Sequence, residues 1–167
     1  MSSIPPDPSE VVTRRCARVL VVDAADRVLL MHGGDPHNPA DRYWFTMGGG
    51  LEPGEDPAHG AARELAEEIG LVVPAEALGD PVWHDVAEFP FDGRWYRQDQ
   101  DFFFLRVTEW ETEVDRQRWT DIERRTVDVI RWWTIEELEN TEERYYPENL
   151  PELLRSLKDQ SSTRGEG

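Results

Sequence analysis

The sequence predicts helices packed on a β-sheet in one domain, an α/β or α+β sandwich, and three observations predict it. Its 167 residues suit a single domain with a core of its own. Short β-branched and aromatic runs recur between turn signals, as strands do. One stretch, residues 57–69, instead carries a helical pattern with both ends marked.

Residues 16–22 and 27–31 are apolar and β-branched, and Asp23-Ala24-Ala25-Asp26 between them predicts a hairpin. A polar loop, 33–41, leads to a strand over 43–47 that runs into the glycine cluster Gly48-Gly49-Gly50. Asp56 suits the helix N-cap, Pro57 the first helical position and Gly70 the left-handed residue beyond the last turn. At about 100° per residue Ala58, Ala62, Leu65 and Ile69 share the stripe that packs on the sheet. Residues 82–89 and 95–107 flank Asp92-Gly93, a strong hairpin signal. An acidic stretch, 108–125, precedes a strand over 127–133 and two short helices over 134–140 and 147–157. Residues 1–10 and 159–167 read as disordered tails around a single domain over 11–158.

The formal charge is −17, and 29 of the 35 acidic residues follow residue 48. Such a surface repels nucleic acid, so a phosphate substrate needs cations as intermediaries. Cys16 is the only cysteine, which excludes an intrachain disulfide and fits a small core residue in a reducing cytoplasm. The N-terminus lacks the regions of a signal peptide, and no apolar run exceeds four residues, so export by that route and a membrane span are not expected. His32, His37, His59 and His84 lack a zinc-ligand spacing. Trp44, Trp83, Phe89, Trp95 and Tyr96 fit either sheet packing or a stacked base.

Gly48 to Leu71, GGGLEPGEDPAHGAARELAEEIGL, carries the chemistry. Glu64, Glu67 and Glu68 fall side by side on one helix face, where like charges cost roughly 0.2 to 0.5 kcal/mol per pair. A hard cation offsets that repulsion, because magnesium takes oxygen ligands and shares carboxylates with substrate phosphates; Arg63 and Glu55 can help by pairing. Glu52-Pro53-Gly54-Glu55 is a turn that returns Glu55 to the helix. The glycines allow a carbonyl oxygen to approach the same cation.

Gly49, Glu55, Arg63, Glu64, Glu67, Glu68, Gly70 and Leu71 match G-x5-E-x7-R-E-U-x-E-E-x-G-U without a gap, which resembles the Nudix box. The resemblance implies an α/β/α sandwich with a mixed β-sheet and a metal-dependent hydrolase that cleaves a diphosphate linkage in a nucleoside diphosphate derivative. Nucleotide sugars such as ADP-ribose and nucleoside triphosphates are both admissible. It implies Mg2+ or Mn2+ on the Gly48 carbonyl and the carboxylates of Glu64, Glu67 and Glu68, with Arg63 and Glu55 positioning those groups. Glu64 is the implied general base, unless a later loop glutamate takes that role. Glu123 is the candidate there, competing with Glu109, Glu111 and Glu113. The implied partner is a small nucleotide-like molecule, with no nucleic-acid duplex and no membrane, and homodimerisation is left open. Met47 stands where many members have proline, and neither Pro81, Pro90 nor Phe89 marks a substrate subclass. The competing reading is a nucleotide sensor of the same fold that does not cleave, although sensors commonly lack the box carboxylates. An isopentenyl-type isomerase would need a reactive cysteine, and Cys16 lies in a predicted strand well before the box.

Overall fold

The computed structural model describes residues 10–35, 38, 40–91, 93–108 and 127–164. Its strands are β1 (Val11–Val22), β2 (Val28–Gly34), β3 (Arg42–Gly50), β4 (Trp83–Phe91), β5 (Arg94–Arg106), β6 (Val127–Trp133) and β7 (Tyr145–Tyr146). The helices are α1 (Pro57–Ile69), α2 (Ile135–Asn140) and α3 (Leu150–Arg164), with a 3-10 turn at Ala75–Leu78.

Among the described residues the strands form one mixed sheet in the order β4-β5-β1-β2-β3-β7, with β6 beside β2. Strand β1 is its organiser. It runs parallel to β5 from Val11↔Trp95 to Val22↔Arg106 and antiparallel to β3 from Cys16↔Gly50 to Val19↔Met47. Further along, β3 leaves β1 and pairs with β2, from Leu30↔Thr46 to Gly34↔Arg42. Alternate residues then serve opposite faces. Ala17, Val19, Leu29, Met31, Met47 and Phe103 pack with Ala61, Leu65 and Ile69 of α1. On the other face Leu20, Leu30, Trp44 and Phe102 pack with Leu138 of α2 and Leu150, Leu154 and Leu157 of α3. Helices thus cover both faces of a mixed sheet, the expected sandwich. Each fully buried leucine or phenylalanine here contributes about 1.5 to 3 kcal/mol.

Four local expectations are corrected. The 23–26 turn forms, with Asp23 Oδ1 accepting from the Ala25 and Arg27 amides at 3.0 and 2.8 Å, but β1 and β2 pair only at Val22↔Val28 and then diverge. Both strands are buried on both faces and bordered by other strands, so their apolar runs do not reveal which neighbour each takes. Strand β1 starts at Val11, not residue 16, because pairing with β5 holds the exposed Thr13, Arg14 and Arg15 in the sheet. Strand β4 extends through Pro90, which is tolerated because β4 is the edge of the sheet. Helix α3 begins at Leu150, not 147, and continues through residues 159–164 in place of the expected tail; no glycine or proline follows Pro151 before Gly165. Among the described residues no helix is long and apolar enough to cross a membrane.

Candidate active site

Helix α1 is delimited as its sequence requires. Asp56 Oδ2 accepts from the Ala58 and His59 amides at 3.2 and 3.4 Å, Pro57 opens the first turn, and Gly70 at φ 70° closes the last with its amide on Ala66 O at 3.1 Å. The preceding turn is closed by the Glu55 amide on Glu52 O at 3.0 Å and needs glycine at position 54, where φ is 75°. Glu55 Oε1 also accepts the Glu52 amide at 3.0 Å, so its carboxylate faces back over the helix.

That carboxylate grips Arg63 as a two-pronged fork, Nε to Oε2 at 2.9 Å and Nη2 to Oε1 at 2.8 Å. Bidentate pairing of ionised partners is the stronger form of hydrogen bond. It holds the Glu55 carboxyl down to about 2, mainly through the Arg63 hydrogen bonds, and raises Arg63 further above its ordinary range. The same guanidinium reaches Glu64 Oε1 at 3.2 Å, Glu67 Oε2 at 3.3 Å and Gly50 O at 3.2 Å. Arg63 therefore offsets the repulsion among the helix glutamates and ties them to the glycine loop.

Glu68 points the other way. It is only 2% exposed, and Oε1 accepts the Gly48 amide at 2.8 Å. Gly48 has φ 127°, and a Cβ there would stand 2.1 Å from Ala17 O. A Cβ on Gly49 would stand 2.8 Å from Glu64 Oε1. The glycines are thus the room in which Glu64 and the β1 backbone sit.

The structure brings Glu55, Arg63, Glu64 and Glu67 around one guanidinium and joins Glu68 to Gly48. In this arrangement no three His, Cys, Asp or Glu side chains among the described residues are gathered to hold a metal ion. The donors nonetheless have the right chemistry for a hard divalent cation: three carboxylates and a carbonyl, all oxygen, with a glycine sparing the space beside Glu64. Glu123, Glu109, Glu111 and Glu113 lie outside the described residues. Cys16 is buried opposite Gly50, as a core residue. Trp44 and Trp83 pack on Trp133 and Phe102, each pair with ring centroids 5.0 Å apart, whereas Phe89 and Tyr96 stack at the outer end of the β4–β5 hairpin.

Sequence reasoning missed four residues on the sheet face beside Gly48. Arg18 Nη1 donates to Gly48 O at 3.0 Å and its Nε to Gln100 Oε1 at 3.2 Å, while Gln98 lies between Arg18 and Arg14. The available signal was polar residues sharing one parity, 14 and 18 in β1 and 98 and 100 in β5, of which Gln98 and Gln100 alternate with the exposed Arg97 and Asp99.

Comparison with known proteins agrees with this geometry. The NUDIX domain profile matches residues 12–155, and the chain belongs to the Nudix family. The RNA pyrophosphohydrolase of Rhodopseudomonas palustris is 30% identical over 110 residues, covering 61% of this chain and 66% of that protein. The Brucella ovis protein of the same name is 30% identical over 118 residues, covering 65% of this chain and 66% of its own length. Among solved structures, the MutT protein of Methanosarcina mazei superposes with a TM-score of 0.64 at 18% identity, covering 91% of this chain and 97% of that one. The Ap4A hydrolase of C. elegans does so with a TM-score of 0.54 at 16% identity, covering 90% and 98%. At these identities the structural likeness speaks for the fold.

Proposed function

We propose that the protein is a Nudix pyrophosphohydrolase that cleaves a diphosphate linkage in a nucleoside diphosphate derivative. The observation that carries this reading is the complete set of box carboxylates, organised by Arg63 and by the Gly48 amide at one loop–helix junction. A sensor that does not cleave has no need of that full set. The family and the pyrophosphohydrolase names of the 30% identical relatives support the reading.

Magnesium or manganese would be held by the carboxylates of Glu64, Glu67 and Glu68 and the carbonyl of Gly48, and when bound supplies neutralisation of phosphate charge and a more acidic water. Glu64 takes the proton of the water that attacks phosphorus. Arg63 positions Glu64 and Glu67, Glu55 fixes Arg63, and Glu68 fixes the Gly48 loop. The products are two phosphate-bearing fragments. A buried lone Cys16 suits a reducing compartment such as the cytoplasm.

The test is incubation with Mg2+ or Mn2+ and a panel containing ADP-ribose, nucleoside triphosphates, a dinucleoside polyphosphate and a 5′-triphosphorylated RNA, with products identified by mass. Cleavage at a diphosphate that stops in excess chelator is expected. Binding of a panel member without turnover would make the protein a sensor and overturn the reading.

A further inference from the structure

We infer that the outer edge of β4 is a self-association surface: two copies of the chain join antiparallel through this strand, about a two-fold axis at Val86, into one continuous sheet. The inference stands apart from the hydrolytic reading and does not depend on it.

Among the described residues β4 ends the sheet, bonded to β5 on one side only. The other side of its nine residues offers backbone donors and acceptors, a template for a further strand. Two of the five exposed large hydrophobic side chains among the described residues belong here, Val82 just before the strand at 38% and Val86 at its middle at 41%. The register sets His84 opposite Asp101 and Val86 opposite Asp99, and β5 in turn sets Asp101 beside Ala17, which packs under α1. His84, Val86 and Glu88 therefore share the α1 face of the sheet, with Trp83, Asp85, Ala87 and Phe89 on the other.

Symmetry restricts how a second copy can pair. A two-fold axis perpendicular to the sheet keeps each face on its own side, so it must pass through a pair of identical residues. Joined at His84, Asp85 or Glu88, the copies set like groups against each other; joined at Ala87, they set Val86 against Glu88 and Asp85 against Phe89. Centres nearer either end leave much of the strand unpaired. Joined at Val86, the sequence matches itself. His84 faces Glu88 of the copy, twice by symmetry, Val86 faces Val86, and Val82 faces Pro90, while on the other side Trp83 faces Phe89. Opposite charges and paired aromatic or β-branched side chains directly across a ladder stabilise it, and like charges do the reverse.

The charges continue inward from the joint. Glu88 Oε1 lies 4.0 Å from Arg97 Nε, and His84 bonds Asp99, which raises its imidazole above the ordinary range. Across the joint the row reads Arg97, Glu88, then His84 and Asp99 of the copy, alternating in sign. A strand that merely defends its edge can do so with charges or proline anywhere along it. It has no need of opposite signs spaced evenly about an exposed valine. Because the axis is perpendicular to the sheet, both α1 helices stand on the same side of the joined sheet.

Sedimentation of the full chain is expected to show dimers that dissociate on dilution. His84→Glu and Glu88→Lys each weaken the dimer tenfold or more, since each sets like charges against its copy twice. Mixed together, the two variants associate again, because each altered side chain then faces an opposite charge on the other chain. Val86→Cys chains link through a disulfide on mild oxidation, their Cα atoms being about 4.5 to 5.5 Å apart. Glu88→Cys chains, with the same atoms about 14 Å apart, do not, and the buried Cys16 takes no part. Circular dichroism and thermal melts confirm the fold of each variant. A wild type that is monomeric at every concentration, dimers that persist unchanged in both charge variants, a mixture of those variants that stays monomeric, or disulfide dimers as abundant in Glu88→Cys as in Val86→Cys would each overturn the inference.

Discussion

Replacing Gly49 with alanine separates the fold from the site, because the atoms nearest the added methyl all belong to one flexible side chain. Its Cβ would stand 2.8, 2.9 and 3.1 Å from Oε1, Cδ and Oε2 of Glu64, and those are its three nearest neighbours. Ordinary contact begins near 3.4 Å, so the carboxylate has to retreat by about 0.6 Å. A flexible side chain does this for about 0.5 to 1.5 kcal/mol of rotamer strain, against about 0.4 to 1 kcal/mol gained from a stiffer unfolded chain. The net change in stability is therefore within about 1 kcal/mol, a Tm shift of no more than about 4 °C for a chain this size. Activity is another matter, since displacing a reacting group by an ångström costs about a hundredfold. Gly48→Ala is the contrast. There φ is 127° and the Cβ would lie 2.1 Å from Ala17 O and 2.8 Å from Arg18 Cα, both backbone, so strain of about 1 to 3 kcal/mol adds to a clash no rotamer relieves. Thermal melts and kcat on the identified substrate are to be measured for both. Wild-type turnover in Gly49→Ala would refute the role given to Glu64, and a melt as low as that of Gly48→Ala would refute the placement of its carboxylate.

Three further outcomes are expected. Glu68→Gln retains an oxygen for the Gly48 amide and so melts within about 1 kcal/mol of wild type, yet loses most activity and most of the magnesium-induced Tm rise; full turnover would remove it from the ligand set. Glu67→Gln, at a side chain 48% exposed and 3.3 Å from Arg63, alters metal-free stability by no more than about 0.5 kcal/mol while its magnesium shift shrinks, and marked destabilisation in melts would make Glu67 a structural partner instead. The Glu55–Arg63 pair sets a pH signature: because the folded Glu55 carboxyl is depressed to about 2 from 4.5, its contribution is full above pH 4.5 and fades as pH falls towards 2. Acid titration of wild type against Glu55→Gln should show a stability gap at neutral pH that closes over that window, and a constant gap would show that the ionised pair is not its cause.

Where local chemistry dictated structure, the sequence was readable. Asp56, Pro57 and Gly70 each impose a backbone state on their own, and the limits of α1 followed from them. Asp92-Gly93 likewise marked a hairpin whose strands meet at Phe91↔Arg94. The pairing of β1 was hidden because its long partners, β5 and β3, are chosen by packing across the whole chain. At the site, the box register named Glu55, Arg63, Glu64, Glu67 and Glu68, but not that Arg63 bridges three of them; a pattern gives positions on a helix and not which of several acids a guanidinium takes. Arg14, Arg18, Gln98 and Gln100 stayed invisible because their meaning depends on strands some eighty residues apart lying side by side.

That parallel pairing also sets an order of assembly on the ribosome. Residues 11–70 contain β1, β2, β3 and α1, so the glycine loop, the carboxylate helix and their shared core can form as the first half of the chain emerges. The outer edge of β1 must wait for residues 94–106, and until they arrive it presents twelve residues of unpaired backbone. Such an edge is a template for other nascent chains. The exposed Thr13, Arg14 and Arg15 at its start are charged and polar, the composition that protects a waiting strand from aggregation while the chain is being made.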